Sequence, residues 1–423
     1  MVLAVVLAVV LGRQQGGHGL NLSKQPSTVL HAGGVATGRT SGHREFGARS
    51  RWLVVVGVSS SSVGLGAKPR PFRAPIVRVM SAQVGEETVD QRAETTLPKV
   101  CVVATVRNEE RYLEGALESV LRQVYGGELS VVLSVGPSRD NTYGIAQEYA
   151  LRDRRLTVVE SPSGLIPNGL NIALSHVPSD ALAVVRFDGH TRLPQGYVSA
   201  MVETLVRTGA DNVGGVMHPV GTSPLEQAIA FAMSHRIGIG PASFHTGGIE
   251  GPEETAYLGT FRKEALDRVG NYDEYYERAE DWELNFRIRK SGGIVWFRPD
   301  VAVDYRPRSS FKALAKQFFH TGQWRREVMK NNRSTASLRY LAPPLAVLAI
   351  TVGTLLGLVG ASVGPSALMT AFAAPLGYAL FALVGGLWAA RELPPRARLR
   401  VPPVLATMHL CWGAGFLFGK ATS

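Results

Sequence analysis

The stretch from Leu341 to Phe418 limits what this chain can become more than any other part of it. Leu341 to Ala361, Ala367 to Ala390 and Pro403 to Phe418 are apolar runs without an acidic residue, lysine or arginine. The first two reach the roughly 20 residues needed to cross a bilayer, and the third is short of it. Core helices of soluble domains rarely run so long without a charge, so residues 336–423 are expected to form a membrane domain of about three transmembrane helices. Lys330, Arg333 and Arg339 precede the first run, Arg391, Arg396, Arg398 and Arg400 lie between the second and third, and the intervening SVGPS loop has no charge. By the positive-inside rule the chain is a multi-pass cell-membrane protein whose long N-terminal part faces the cytoplasm. No Asp, Glu or Arg interrupts the runs, which argues for an anchor or a platform for a lipid substrate and against an ion pump.

The 423 residues leave room for one or two further domains. A net charge of +11 suits an anionic membrane surface, a phosphorylated substrate or nucleic acid. The basic residues concentrate in the tail and beside the apolar runs, without an aromatic platform or a nucleic-acid motif, so no nucleic-acid partner is expected. Two cysteines, Cys101 and Cys411, both in apolar surroundings, offer neither a disulfide framework nor a zinc cluster. Residues 1–95 open with MVLAVVLAVVLG, too short to span a bilayer, and continue in Gly, Ser and Arg with little periodicity. They read as a disordered extension, or as upstream sequence of a chain whose natural start is Met80, with a signal anchor at Leu3 to Leu11 as the alternative.

From Lys99 the pattern changes. VCVVATV, LSVVLSV, LTVVES and LAVVRF are strand-length apolar runs, and between them lie segments such as RNEERYLEGALESVLRQVY, YGIAQEYALR and IPNGLNIALSHV with apolar residues at helical spacing. Strands alternating with short helices predict a mainly parallel α/β sheet flanked by helices. Beyond Leu193 the reading is more mixed: helices over PQGYVSAMVETLVRTGA, SPLEQAIAFAMSH and AEDWELNFRIRKSGG, a strand at NVGGVMHPVG, a strand running into a helix at AYLGTFRKEALDRVG, and one or two strands in IVWFRPDVAVDYRP. GIGPASFHTGGIEGPEE is expected as a glycine-rich loop. Residues 309–335 form an amphipathic helix, apolar at Phe311, Leu314, Phe318, Phe319, Trp324 and Val328 with Lys and Arg between. That pattern suits a helix lying in the membrane interface, or one packed on the preceding α/β domain.

One of these strands ends abruptly in Asp188-Gly189-His190. A carboxylate delivered to the C-terminal edge of an open α/β sheet stands where such sheets bind ligands, though Asp-Gly is also an ordinary turn. Taken with its neighbours, Thr105 to Arg308 resembles the family 2 glycosyltransferases, inverting enzymes of the GT-A fold, and is nearest to membrane-anchored members that build exopolysaccharides such as succinoglycan. The resemblance rests on ordered motifs over about half the chain. ATVRNEERYL is similar to the family's opening strand and Asn-Glu pair, which implies that Thr105, Asn108 and Glu109 cradle the base and ribose of the donor. Locally, Asn108 also suits a helix cap. LSVGPSRDNT is similar to the second strand and its Asp-Gly-x-Ser-x-Asp-x-Thr turn, with Ser138, Asp140 and Thr142 in register and Val135 in place of the first aspartate. Asp140 is also a candidate cap for the following helix. SGLIPNGLNIAL looks like the loop ahead of the metal-binding strand, implying that Gly164, Asn168 and Asn171 face the diphosphate.

In the family, the strand ends in Asp-x-Asp. Here the resemblance implies that Asp188 and His190 hold a divalent cation, Mn2+ or Mg2+, with Asp188 also near the ribose. RAEDWELNF resembles the Glu-Asp motif, making Asp281 the general base with Glu280 in support; acidic residues at a helix start also stabilise the dipole. HTGQWRRE is similar to the segment that clamps the donor diphosphate, implying Gln323, Arg325 and Arg326, although Trp324 precedes the arginines, unlike the Gln-x-x-Arg-Trp of processive members. That difference and the few apolar runs argue against a processive synthase. The domain order is then an extension (1–95), a GT-A domain (96–308), the amphipathic helix (309–335) and the membrane domain (336–423). The implied activity is metal-dependent transfer of a sugar from a nucleotide-diphosphate donor to a lipid-linked saccharide or polysaccharide acceptor. Transfer to a polyprenyl phosphate, or a catalytically silent nucleotide-binding membrane protein, are the alternatives.

Overall fold

Strands β1 (Val100–Val106), β2 (Leu129–Val135), β3 (Leu156–Glu160) and β4 (Ala183–Arg186) pair in parallel in the order β3-β2-β1-β4. The computed structural model describes residues 97–420, and the expectations for residues 1–95 lie outside the described residues. β1 and β4 are buried almost throughout, which is why they read as continuous apolar runs and not as alternating ones. Helices α1 (Leu113–Leu121), α2 (Thr142–Arg152) and α3 (Ile166–Leu174) make the crossovers. Leu113, Ala116, Leu117 and Val120 of α1 are buried, as their spacing predicts. The helix begins only at Leu113 because the chain first turns sharply at Asn108, held in the left-handed region at φ 56°.

The rest of the domain extends the sheet on the β4 side. After the two-residue β5 (Thr191–Arg192) come α4 (Tyr197–Thr208), β6 (Asn212–Pro219), α5 (Pro224–Ser234), β7 (Gly251–Pro252), β8 (Tyr257–Arg262), α6 (Lys263–Val269), α7 (Glu280–Lys290) and β9 (Val295–Tyr305). β8 lies antiparallel between β4 and β6, β9 runs parallel to β6, and the short β5 and β7 pair with β9. The sheet is mixed and mostly parallel, the GT-A-like arrangement that the resemblance implied, followed by long apolar helices. The segment expected as a glycine-rich loop is mostly loop but holds a single-turn helix at Ser243–Thr246, and another, Arg236–Ile239, runs into its start. His235 starts Arg236–Ile239 by accepting the Ile237 N–H at 3.1 Å, a cap that glycine counting does not anticipate.

Helix α8 (Phe311–Asn331) lies along the third apolar helix. Leu314, Phe318, Trp324 and Val328 are buried, while Phe311 stays exposed. Gly322 and Gly415 permit the approach: a Cβ on Gly322 would run into the Trp412 carbonyl, and one on Gly415 into that of Phe319. Among the described residues three helices are long and apolar enough to cross a membrane, Leu338–Ser362, Ser366–Ala389 and Pro395–Phe418. The third is longer than predicted because coiling starts at Pro395, a residue suited to a first helical turn. It is also the least apolar of the three and the most buried. The first two present leucines and valines outward.

Candidate active site

The C-terminal ends of β1, β2 and β4 gather three loops at one edge of the sheet. Two of them brace each other. The Asn108 N–H donates to Ser138 Oγ at 3.0 Å, and Asn108 Oδ1 accepts the Arg139 N–H at 2.8 Å. The Glu109 N–H donates to Thr142 Oγ1 at 2.8 Å, and the Glu110 N–H to Asp140 Oδ2 at 3.2 Å. Asp140 Oδ1 also accepts the Thr142 N–H at 3.1 Å, so Ser138 and Asp140 spend their bonds on loop shape. These bonds hold the Asp140 carboxyl below the usual carboxylate range against a countervailing burial effect. Thr105 Oγ1 lies 3.2 Å from Ser134 Oγ, and a Cβ on Gly169 would strike it, so α3 sits directly on the strand ends. Gly164, at φ 62°, makes the turn into α3.

Asn168 and Asn171 on α3 reach the segment that precedes α7. Asn171 Nδ2 donates to the Tyr272 carbonyl at 2.9 Å and to Glu274 at 3.0 Å, and its Oδ1 accepts the Tyr272 N–H at 3.0 Å. Asn168 Nδ2 donates to Glu274 at 3.0 Å. The two asparagines thereby dock the chain that carries Glu280 and Asp281 onto the β1–β4 half of the sheet.

At the centre of the site stands Arg186, the last residue of β4 and 4% exposed. Its Nη2 donates to Asp188 Oδ1 at 3.3 Å and to Glu280 Oε1 at 3.1 Å, and its Nη1 donates to Asp281 Oδ1. Its guanidinium also lies 5.8 Å from the centroid of the Tyr272 ring. Three carboxylates from two distant motifs are thus held by one fork of donors. Asp281 keeps a third of its side chain open to solvent. Burial raises its carboxyl above the ordinary range, Arg186 opposes the rise, and Glu280 and Asp188 add to it.

His190 stands two residues beyond Asp188, with Nδ1 2.9 Å from Glu109 Oε1 and its ring edge-on to Tyr305. Burial lowers its pKa, but the Glu109 hydrogen bond and the nearby Asp188 charge outweigh that and raise it. Gly189 between them is required by space: a Cβ there would come within 2.7 Å of Val106 Cγ1. The donor set suits a cation. Asp188 Oδ2 has no hydrogen bond among the described residues, and a histidine whose Nδ1–H is held by a carboxylate presents Nε2, as metal-bound histidines do. Imidazole with carboxylate favours manganese over magnesium. Among the described residues no three such side chains gather in one place, so further ligands would have to come from the donor.

The α8 residues divide. Gln323 donates to the Lys420 carbonyl, and Arg326 reaches the Leu417 and Gly419 carbonyls at 3.2 Å, closing the end of the third apolar helix. Arg325 instead stacks between Trp282 and Tyr340, 4.1 Å and 3.4 Å from their ring centroids. Arg186 and Tyr272 escaped the motif reading. A signal for Arg186 was present: an arginine inside a buried run demands partners, and at two residues from Asp188 it shares that residue's face of the strand.

Residues 101–270 match the model of the glycosyl transferase family 2. The chain is 31% identical over 324 residues to succinoglycan biosynthesis protein ExoA of Rhizobium meliloti (strain 1021), covering 76% of this chain and 95% of that protein. It is 27% identical over 113 residues to glycosyltransferase GlyA of Streptococcus pneumoniae serotype 4 (strain ATCC BAA-334 / TIGR4), covering 27% of this chain and 16% of that one. Mannosyltransferase PcManGT from Pyrobaculum calidifontis, solved in complex with GDP-Man and Mn2+, aligns at 20% identity over 74% of this chain and 86% of its own, with a TM-score of 0.47. With nearly all of ExoA's length matched in one alignment, the chain belongs to glycosyltransferase family 2.

Proposed function

We propose that the chain is an inverting glycosyltransferase that moves one sugar from a nucleotide-diphosphate donor to a lipid-linked saccharide, at the cytoplasmic face of the membrane, in polysaccharide biosynthesis. The observation that carries this reading is the Arg186 cluster, which brings Asp188 and Asp281 to one guanidinium across 93 residues of chain. Asp281 takes the proton of the acceptor hydroxyl as that oxygen attacks the anomeric carbon; the bond to the diphosphate breaks, and the nucleoside diphosphate leaves. A base that withdraws a proton without itself bonding to the sugar leaves the configuration inverted. Arg186 and Glu280 fix the direction in which the Asp281 carboxylate points, and a raised pKa makes it a better proton acceptor. The braced loops of Asn108, Glu109, Ser138 and Asp140 form the donor's seat. Asp188 and His190 would hold the divalent cation, which when bound supplies charge neutralisation to the departing diphosphate.

The similarity to a succinoglycan biosynthesis protein supports the polysaccharide setting, and the three apolar helices support a membrane-borne acceptor. Asp281→Asn tests the base. In membranes supplied with donor and acceptor lipid it is expected to lower transfer by about 10²–10⁴-fold, while manganese-dependent donor binding persists. Transfer at the wild-type rate would remove Asp281 from the role.

A further inference from the structure

Between the catalytic domain and the apolar helices lies a cavity of about 330 Å3 that the chemistry above leaves unused. His245 and Trp282 line its domain side, and Ala346, Phe381 and Trp412, one from each apolar helix, line the other. The lining is mostly apolar, yet it includes Arg325, whose side chain is 5% exposed. Among the described residues Arg325 has no carboxylate partner. Among the described residues its Nη2 reaches the Thr335 carbonyl at 3.4 Å and its Nε has no partner. The nearby carboxylate of Glu254, on the same lining, is already paired with Arg339. His245 Nδ1 and Trp282 Nε1, both on the same lining, are likewise unpartnered. Buried polar atoms are nearly always satisfied, and a buried charge without a counter-ion is costly. Buried, unpartnered Arg325 Nε and Trp282 Nε1 donors on one cavity wall can receive an anion.

We propose that this cavity binds the acceptor lipid, with Arg325 receiving the phosphate of a polyprenyl carrier and the hydrocarbon chain leaving between the apolar helices. The proposal rests on the transfer reading and names the part of the acceptor that the enzyme recognises. The volume lies at the small end for ligand pockets, which suits a phosphate and the first part of a single chain better than paired acyl chains. Burial pulls the Arg325 guanidinium down to about 10, still charged at neutral pH. Trp282 follows Asp281 directly in α7, so one residue faces the cavity while its neighbour faces Arg186. A saccharide attached to a phosphate at Arg325 would then extend towards the base. The second apolar helix is also interrupted by a π turn at Phe381–Gly385 on the cavity wall, a feature that gathers at functional sites.

The test uses the full chain in nanodiscs of phosphatidylcholine and measures binding of decaprenyl phosphate, decaprenol, phosphatidic acid and inorganic phosphate. Decaprenyl phosphate is expected to bind at least tenfold tighter than decaprenol, and neither phosphatidic acid nor inorganic phosphate to displace it at equal concentration. Arg325→Gln should erase the preference for the phosphate, Arg325→Lys should restore most of it, and Ala346→Phe should weaken both polyprenyl lipids together. If Arg325→Gln does not fold, the wild-type comparison, Arg325→Lys and Ala346→Phe still decide. Equal binding of decaprenol and decaprenyl phosphate, a preference that survives Arg325→Gln, or displacement by phosphatidic acid or inorganic phosphate would overturn the site. Donor hydrolysis by the wild-type protein is measured in parallel. A protein that hydrolyses donor but fails the lipid tests loses only this inference; one that never turns donor over loses the transfer reading itself.

Discussion

With Arg186 gone, Asp188, Glu280 and Asp281 would face one another in a largely buried site without a positive partner. Removing one side of a buried ion pair typically costs about 3–5 kcal/mol, because the remaining charge is left desolvated. Arg186→Leu is therefore expected to lower unfolding free energy by that order, read by chemical denaturation in detergent. Arg186→Lys separates charge from geometry. A point-like ammonium keeps the net charge but cannot spread donors over three carboxylates as a planar fork does. The lysine variant should stay folded and lose kcat more than donor KM, since what it loses is the aim of Asp281. Equal kinetics in the lysine variant would reduce Arg186 to a structural counter-ion. At this scale the motifs named the acids and missed what joins them. Asp188 and the Glu280-Asp281 pair were legible because each lies in a short motif of its own. The fork between them depends on β4 and α7 meeting in space, and only the buried arginine itself hinted at that. Asn171 shows the same limit from the other side: its motif suggested the diphosphate, while its three hydrogen bonds go to Tyr272 and Glu274.

Elements were legible where a single face or a single run sets them. β1, β2, β3 and β4 follow their apolar runs, and α1 follows its spacing, because burial on one or both faces leaves a periodic trace. The glycine-rich segment and α8 were less legible because their partners are remote. α8 has an apolar stripe in any reading, but whether that stripe meets lipid or protein turns on Gly322 and Gly415. Helices that associate inside or beside a membrane come close through small residues, and here each glycine lies against a backbone carbonyl of the other helix. Gly322→Leu or Gly415→Leu must push the helices apart. Overpacking typically costs about 1–3 kcal/mol, and a rigid backbone neighbour puts these two at the upper end or beyond. Thermal unfolding in detergent should drop clearly for both. Gly251→Ala, whose Cβ meets nothing within 4 Å, should be close to wild type. Leucine tolerated at Gly322 would mean that α8 and the third apolar helix are not held as closely as described.

For the whole molecule, the charge around the apolar helices and the place of the active site make one joint demand. The domain and the basic Arg391–Arg400 segment sit on the same end of the helix group, since α5 contacts both the Pro395–Arg398 turn and the third apolar helix. By the positive-inside rule that end is expected in the cytoplasm, where nucleotide-diphosphate sugars would be met, and the uncharged turn after Ser362 on the other face. Cysteine labelling tests this with little background. Cys101 is fully buried, and burial pushes its thiol up to about 11, so it reacts poorly at neutral pH; Cys411 lies inside the third apolar helix. Val363 and Leu151 are exposed at 89% and 88%, one in the uncharged turn and the other on α2. In intact cells a membrane-impermeant maleimide should label Val363→Cys and leave Leu151→Cys unlabelled until the membrane is opened. The reverse pattern would put the active site outside the cell, away from its proposed donor. Labelling of neither until the membrane is opened would mean that the first apolar helix does not cross. In that case an acceptor lipid entering between those helices would need another route to Asp281.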